Sequence, residues 1–449
     1  LHPFKTSFLA IALLPAGALG ADGSSAPACN AALAALEARA PAEQYNPDFT
    51  TRFHRDVFAL VDGDTLKTGD DFFRAATLSQ GFAIEYRVAR IPYELALAAC
   101  GEGDPNAEKL LAGAWDSLLH SVGRPLRFDF YGMVASNPDS DEFTLEPAPK
   151  VIRDLMIDPA AAREAASKAS DNPEAQAIVN ADQAIRAHWY AMTPDQSKDA
   201  VKADHQRNRR IREIVKEGSL HTARDFENAS LVMQHSSAFA GYQLAHELAV
   251  CSMLLGDKGT GRWLVAATYD RMLLSIAHNQ RFGTQGAITL GTQISPELAP
   301  TDEAGICDGE RVALGCPTLA GKRADSYVYA AEALTEQGKG GEAEAMARDG
   351  MARVSKAYPD GSWRTFNAER VLGASLLAEK NYADAEPLLL AAFAGLEKAE
   401  STLPRNVRFH IREAAESLDK LYEATKRPDE VAEWTSRVDA FDRSNPASH

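Results

Sequence analysis

Gln234 and His235, inside the stretch LVMQHSS, are the residues whose types and surroundings most invite chemistry. The apolar spacing around them predicts one buried helix, on which adjacent side chains point about 100° apart. Burying each polar group costs roughly 1–3 kcal/mol unless it finds a partner. His235 titrates near neutrality in water, which suits it to carry a proton in a general acid–base step. Asp270 could fix its tautomer and orientation, and Arg271 could grip a carboxylate or phosphate through two parallel hydrogen bonds. The Gly283-Thr284-Gln285 turn could aim backbone N–H groups and an amide at developing negative charge. The catalytic candidates are therefore His235, Asp270 and Arg271. The ligand-binding candidates are Gln234, His246, Glu247, Gln280, Thr284 and Gln285.

Each of these groups also has a purely structural use. A histidine on an apolar helix is commonly a satisfied core residue. Asp270 and Arg271 are neighbours on a helix, so they cannot face the same partner directly. A Gln234–Gln285 amide pair would simply lock the turn against the helix. In AHELA, Val250 stands four residues after His246, where a zinc-binding helix has its second histidine, so no metal site is expected. There is no Gly-x-Ser-x-Gly elbow and no Gly-rich phosphate loop after a strand, and no cofactor is expected. Cys251 lies mid-helix among apolar residues, where a thiol is usually inert.

The elements that must position this set come from an internal duplication. TARDFENASLVMQHSS, from Thr222, aligns with TGDDFFRAATLSQGFA, from Thr68; HELAV aligns with YELAL, YDRMLL with WDSLLH, and QRFGTQ with LRFDFY. The spacing holds at about 154 residues through the four blocks. Both copies read as three helices joined by turns. The apolar framework is common to both, whereas His235, Arg271 and the Gly283-Thr284-Gln285 turn face Gly81, Ser117 and Asp129-Phe130-Tyr131 in the first copy. That is the pattern of one structural half and one half that keeps a site. Residues 151–200 read as a helical connection, and residues 286–320 as a long irregular one.

The last third repeats on its own scale. GKGGEAEAMARDGM, KNYADAEPLLLAAF and KRPDEVAEWTSRV each place a turn before a helix, with Glu342, Asp384 and Glu430 as register marks 42 and 46 residues apart. RVLGASLLAEKNYADAEPLLLAAFAGLE resembles a tetratricopeptide unit of the longer, kinesin-light-chain-like type. The resemblance covers residues 320–441 and implies a stacked-helix surface that binds proteins or peptides. It also implies that Gly373 permits close helix packing and that Ala385 sits under the neighbouring helix.

The second copy resembles an uncharacterised bacterial family, a domain of unknown function, over residues 204–319. The matching positions are Asp204 and Asn208, Gln234 and His235, Asp270 and Arg271, and Gln280, Gly283, Thr284 and Gln285. The likeness continues through Arg311 and the Leu314-Gly315-x-Pro317 turn. It departs at EGSLH, where members usually carry a Gly-Trp-Pro-like turn, and it implies no particular reaction.

A net charge of −16 over 449 residues, without a basic stripe, excludes a nucleic-acid partner. Lys5, the apolar run SFLAIALLPAGAL and Ala18-Leu19-Gly20 read as an export signal over residues 1–20, which predicts a periplasmic or secreted protein without a membrane span in the mature chain. The residues before Cys29 lack the large apolar residue of a lipidation signal. Cys307 and Cys316 flank a Gly-containing loop and are a candidate disulfide.

The expected architecture is all-α: a first module over residues 52–135, a second with the polar set over 204–319, then a tetratricopeptide-like α-solenoid. Two functions fit. One is a binding or scaffolding protein that engages a protein or peptide at the C-terminal helices, with a small anionic ligand near His235. The other is a hydrolase with His235 as general acid/base, supported by Asp270, Arg271 and Gln285.

Overall fold

The computed structural model describes residues 30–43, 49–80, 83, 85–136, 143–186, 192–257, 260–286, 294–403 and 407–444. The expected export signal and Cys29 lie outside them. Helices α1 (Ala31–Glu43) and α2 (Phe49–Asp62) lead into the first copy, α3 (Gly69–Leu78), α4 (Tyr86–Gly101) and α5 (Glu108–Ser121). The connection holds α6 (Met133–Ser136), α7 (Lys150–Ile157), α8 (Pro159–Ala166), α9 (Pro173–Arg186) and α10 (Pro194–Glu217). The second copy is α11 (Ala223–Met233), α12 (Phe239–Leu254) and α13 (Thr260–Leu274), followed by α14 (Asp308–Ala313). Three pairs complete the chain: α15 (Leu319–Glu336) with α16 (Gly340–Ala357), α17 (Trp363–Ala378) with α18 (Tyr382–Ala399), and α19 (Phe409–Ala424) with α20 (Pro428–Ser444). The fold is all-α, with only isolated β-bridges among the described residues. No described helix is long and apolar enough to cross a membrane.

The duplication is present in three dimensions. Thr68 and Asp71 form a capping box at the start of α3, and Thr222 and Asp225 form the same box at α11, each satisfying helix N–H groups that have no intrahelical acceptor. Asp116 of α5 accepts from the backbone N–H groups of Arg127, Phe128 and Phe130. Asp270 of α13 accepts from those of Arg281, Phe282 and Thr284.

The two copies then complete each other. Arg127 of the first donates to both carboxylate oxygens of Glu247 in the second, at 2.8 and 3.0 Å, and Trp115 Nε1 joins it at 3.2 Å. Arg281 of the second donates to both oxygens of Glu94 in the first, at 3.0 and 3.1 Å, and Tyr269 joins it at 3.2 Å. At the centre the equivalent residues Tyr93 and His246 meet, hydroxyl to Nε2, at 2.8 Å. Such reciprocity, each copy contacting the other's equivalent residue, is that of an isologous two-fold interface.

One apolar core accordingly runs through both copies, from Leu33 to Cys316, and a second runs from Ala324 to Phe441. In the second, Glu342, Asp384 and Glu430 fall in the first turns of α16, α18 and α20. A Cβ at Gly373 would stand 2.7 Å from Leu389 Cγ and 3.4 Å from the Ala385 carbonyl, so glycine is what lets α17 and α18 close up there.

Cys307 and Cys316 do not pair. Both thiols are free and buried, at opposite ends of α14. Cys307 is the N-cap of that helix, its backbone N–H donating to Glu310 at 2.8 Å, so the helix itself separates the two sulfurs.

Candidate functional site around His235

Helix α11 ends at Met233, just before the pair that the apolar spacing placed on it. Gln234 is its C-cap, and His235 lies in the turn beyond, its N–H donating to the Val232 carbonyl at 3.1 Å. This turn meets α9 and α10. His235 Nδ1 stands 3.0 Å from Asp182 Oδ2 and 3.1 Å from Oδ1, so the carboxylate that orients the ring comes from α9 and not from Asp270. Arg186 reaches Asp204 of α10 at 2.7 Å and Asp182 at 3.5 Å. Arg207 bridges the same two carboxylates, with Nε 3.4 Å from Asp182.

The electrostatics of the pair follow from this enclosure. Burial pushes the His235 imidazole below its ordinary value, more than the Asp182 hydrogen bond raises it, so the ring is neutral at pH 7. Burial would raise Asp182, but the His235 hydrogen bond and the nearby Arg186 and Arg207 outweigh it and keep the carboxylate ionised. A neutral ring that donates Nδ1–H to a carboxylate presents Nε2 as a proton acceptor. Nε2 has no hydrogen-bond partner among the described residues, and the side chain remains 15 % exposed.

Arg271 joins this cluster. It acts electrostatically on His235, and burial holds its guanidinium below the ordinary value, with the Tyr242 phenol opposing the shift. Among the described residues its Nε has no partner, nor do Gln234 Oε1 and Asn208 Oδ1, the last two on residues nine-tenths buried. Asp182, Asp204 and His235 each offer one ligand atom within 4.8 Å of the others. Two guanidiniums already neutralise those two carboxylates, so a divalent cation would have to displace Arg186 and Arg207. With Arg271 added, the cluster carries one more positive than negative group, a balance that suits an anion better than a metal.

The remaining candidates are spent elsewhere. Asp270 is sealed and holds the turn after α13, accepting also from the Thr284 hydroxyl at 2.7 Å. Gln280 Oε1 takes the Gln285 N–H at 2.8 Å, and its amide donates to the Gln285 and Ala299 carbonyls. Gln285 Nε2 bonds Thr284 Oγ1 at 2.9 Å. The N–H groups of Thr284 and Gln285, expected to face a substrate, are thus consumed inside the loop.

His246 is likewise structural. It is fully buried and pushed down to about 3, and because a carbonyl only accepts, Nδ1–H donates to Val265 O at 3.0 Å while Nε2 accepts from Tyr93. Glu247 is occupied by Arg127, Trp115 and Gln243. Asp182 and Arg186 were missed because residues 151–200 read only as a connection between the copies. The signal available was Asp182 in helical register with Ala175 and Val179, a charge on the apolar stripe of α9.

Compared with protein-family models, with curated proteins and with solved structures, the chain matches none.

Proposed function

We propose that this chain is a helical binding protein that takes an extended peptide or protein segment along the first helices of its C-terminal pairs. The observation that carries this reading is an ionic ladder across three successive first helices. Arg370 of α17 pairs with Glu332 of α15 and, at 3.2 Å, with Glu413 of α19, which also receives His410 Nδ1 at 2.8 Å. The first helices α15, α17 and α19 pack on one another more closely than the second helices do, which supports their lining the inner face of a curved stack. Tyr329, Trp363 and Arg364 border a small cavity on that face. A random dodecapeptide display should enrich a motif on the intact protein. Trp363→Ala should then weaken the selected peptide about 10- to 30-fold at an unchanged thermal midpoint. Failure to enrich any motif, or equal binding by the variant, would sink this reading.

A second reading, a hydrolase, has one observation in its favour: the Asp182–His235 pair with a proton-accepting Nε2. The consumed N–H groups of Thr284 and Gln285 weigh against it, since neither is left to face an oxyanion. If it holds, His235→Gln should keep the far-ultraviolet dichroism and remove about 10²–10⁴-fold of a turnover found in a broad hydrolase screen. Unchanged turnover in that variant would exclude His235 as the acid–base group.

A further inference from the structure

An open cavity of about 330 Å³ lies between α7, α10 and α12, well away from the ladder on α15, α17 and α19. Its apolar wall includes Pro147, Pro149, Val215 and Leu244, and its cations are Arg127, Lys150, Arg212 and Lys216. Arg127 is already bound to Glu247, and Lys150 pairs with Asp154. Arg212 and Lys216, one turn apart on α10, have no carboxylate partner among the described residues. Glu146 is the single acid in the lining; its carboxylate is largely exposed and 3.7 Å from Arg127. In a chain of net charge −16, two unneutralised cations on a concave apolar wall are out of keeping with the rest of the composition.

The start of α12 adds to the imbalance. Its N-cap is Ala238, no side chain caps it, and its first turn holds no acid. The first N–H groups of a helix lack intrahelical acceptors, and its positive end disfavours neighbouring cations. Yet Arg212 is drawn to this end. A Cβ at Gly241 would stand 1.8 Å from Ser236 Oγ, so glycine lets that turn close on the helix, and Arg212 Nη2 comes within 3.2 Å of the same point. Arg124 lies over the ring of Phe239, the first residue of the helix, at 4.3 Å, and exposed Ala240 beside it lines the cavity. Arg212 and Lys216 are exposed residues at the mouth of the cavity, and partial withdrawal from water without an acidic partner holds the Arg212 guanidinium below its ordinary value, which a bound anion would relieve.

We propose that this cavity binds a small amphiphilic organic acid, its anionic head at Arg212, Lys216 and the start of α12, and its apolar body against Pro147, Pro149, Val215 and Leu244. The volume falls at the lower end of small-molecule sites, about 300–1,000 Å³. A bare inorganic anion would leave the apolar wall unused.

The test is calorimetric titration of the full chain with sodium octanoate, alongside octyl phosphate, acetate, inorganic phosphate and octanol. Octanoate or octyl phosphate should bind at least about tenfold more tightly than the other three, and the tighter of the two identifies the head group. Arg212→Gln should weaken that binding about tenfold or more at an unchanged thermal midpoint. Ala240→Asp is the decisive companion, because it places an acid in the first turn of α12 at an exposed position. It should raise the thermal midpoint and abolish octanoate binding together, a pair of changes that misfolding cannot produce. The proposal is overturned if neither amphiphile binds by about 1 mM, if octanol or inorganic phosphate binds as well, or if both variants bind like the parent.

Discussion

Replacing Arg281 with methionine is expected to cost about 3–5 kcal/mol, the range for removing one partner of a buried ion pair. Arg281 is fully buried, and all of its guanidinium N–H groups are used. Nε and Nη2 grip Glu94, Nη1 donates to the carbonyls of Asp302 and Ala304 at 2.5 and 3.0 Å, and Nη2 also donates to that of Gly305 at 2.8 Å. Burial lowers the proton affinity of this guanidinium, but Glu94 and Asp302 more than restore it, so the charge persists at any working pH. Methionine fills the stem, leaves the Asp302 carbonyl without its donor, and leaves the Ala304 and Gly305 carbonyls and Glu94 to Arg90 and Tyr269 alone. Arg127→Met at the equivalent position is expected to cost at least as much, because Glu247 then keeps no cation among the described residues, whereas Glu94 keeps Arg90 at 3.1 Å. Urea unfolding followed by circular dichroism measures both. A loss under about 1 kcal/mol for Arg281→Met, or a clearly smaller loss for Arg127→Met, would contradict this account.

That asymmetry bears on why the duplicated framework persists while its polar decoration does not. Each copy buries a glutamate that the other copy's arginine grips: Arg281 holds Glu94, which also has Arg90 of its own copy at 3.1 Å, and Arg127 is the one cation on Glu247 among the described residues. Losing Arg127 strands a charge in the core and losing Arg281 leaves Glu94 to Arg90 alone, so breaking either pair is costly. No such constraint binds His235, Arg271 or the residues opposite them in the first copy. The first copy could therefore change at those positions without disturbing the shared core.

Much of this was readable in the chain, and the rest failed for identifiable reasons. The 154-residue spacing exposed the duplication, and the capping boxes at Thr68 and Thr222 follow from Ser/Thr-x-x-acid chemistry at a helix start. Gly373 and Ala385 lie where the repeat pattern put them, in the α17–α18 contact. The aligned blocks also contained Glu94 over Glu247 and Arg127 over Arg281. Their cross-pairing was not legible, because the partners sit 120 and 187 residues apart. Asp270 was misplaced for a related reason: its three N–H donors lie 11 to 14 residues ahead, in a loop whose path no periodicity describes. His235 found Asp182 instead, 53 residues back.

Glu310 gives the shared core a pH dependence that falls between acid and neutral pH. It is buried at the first turn of α14, and burial first, then the nearby Glu94 charge, push its carboxyl up from 4.5 to about 7; the Cys307 N–H and Arg281 only partly oppose this. A folded-state value above the unfolded one means that the native state holds the proton more tightly. The associated stability is therefore fully present below about pH 4.5 and is lost as pH rises through about 7, a difference of about 3 kcal/mol. Glutamine at this position keeps an oxygen for the Cys307 N–H and cannot ionise. Glu310→Gln should match the parent near pH 5 and exceed it by about 3 kcal/mol at pH 8, flattening that part of the stability profile. The comparison is made by urea unfolding at both pH values. Parallel profiles for the two proteins would show that Glu310 is ionised throughout and that Arg281 serves both Glu94 and Glu310 as counter-charge.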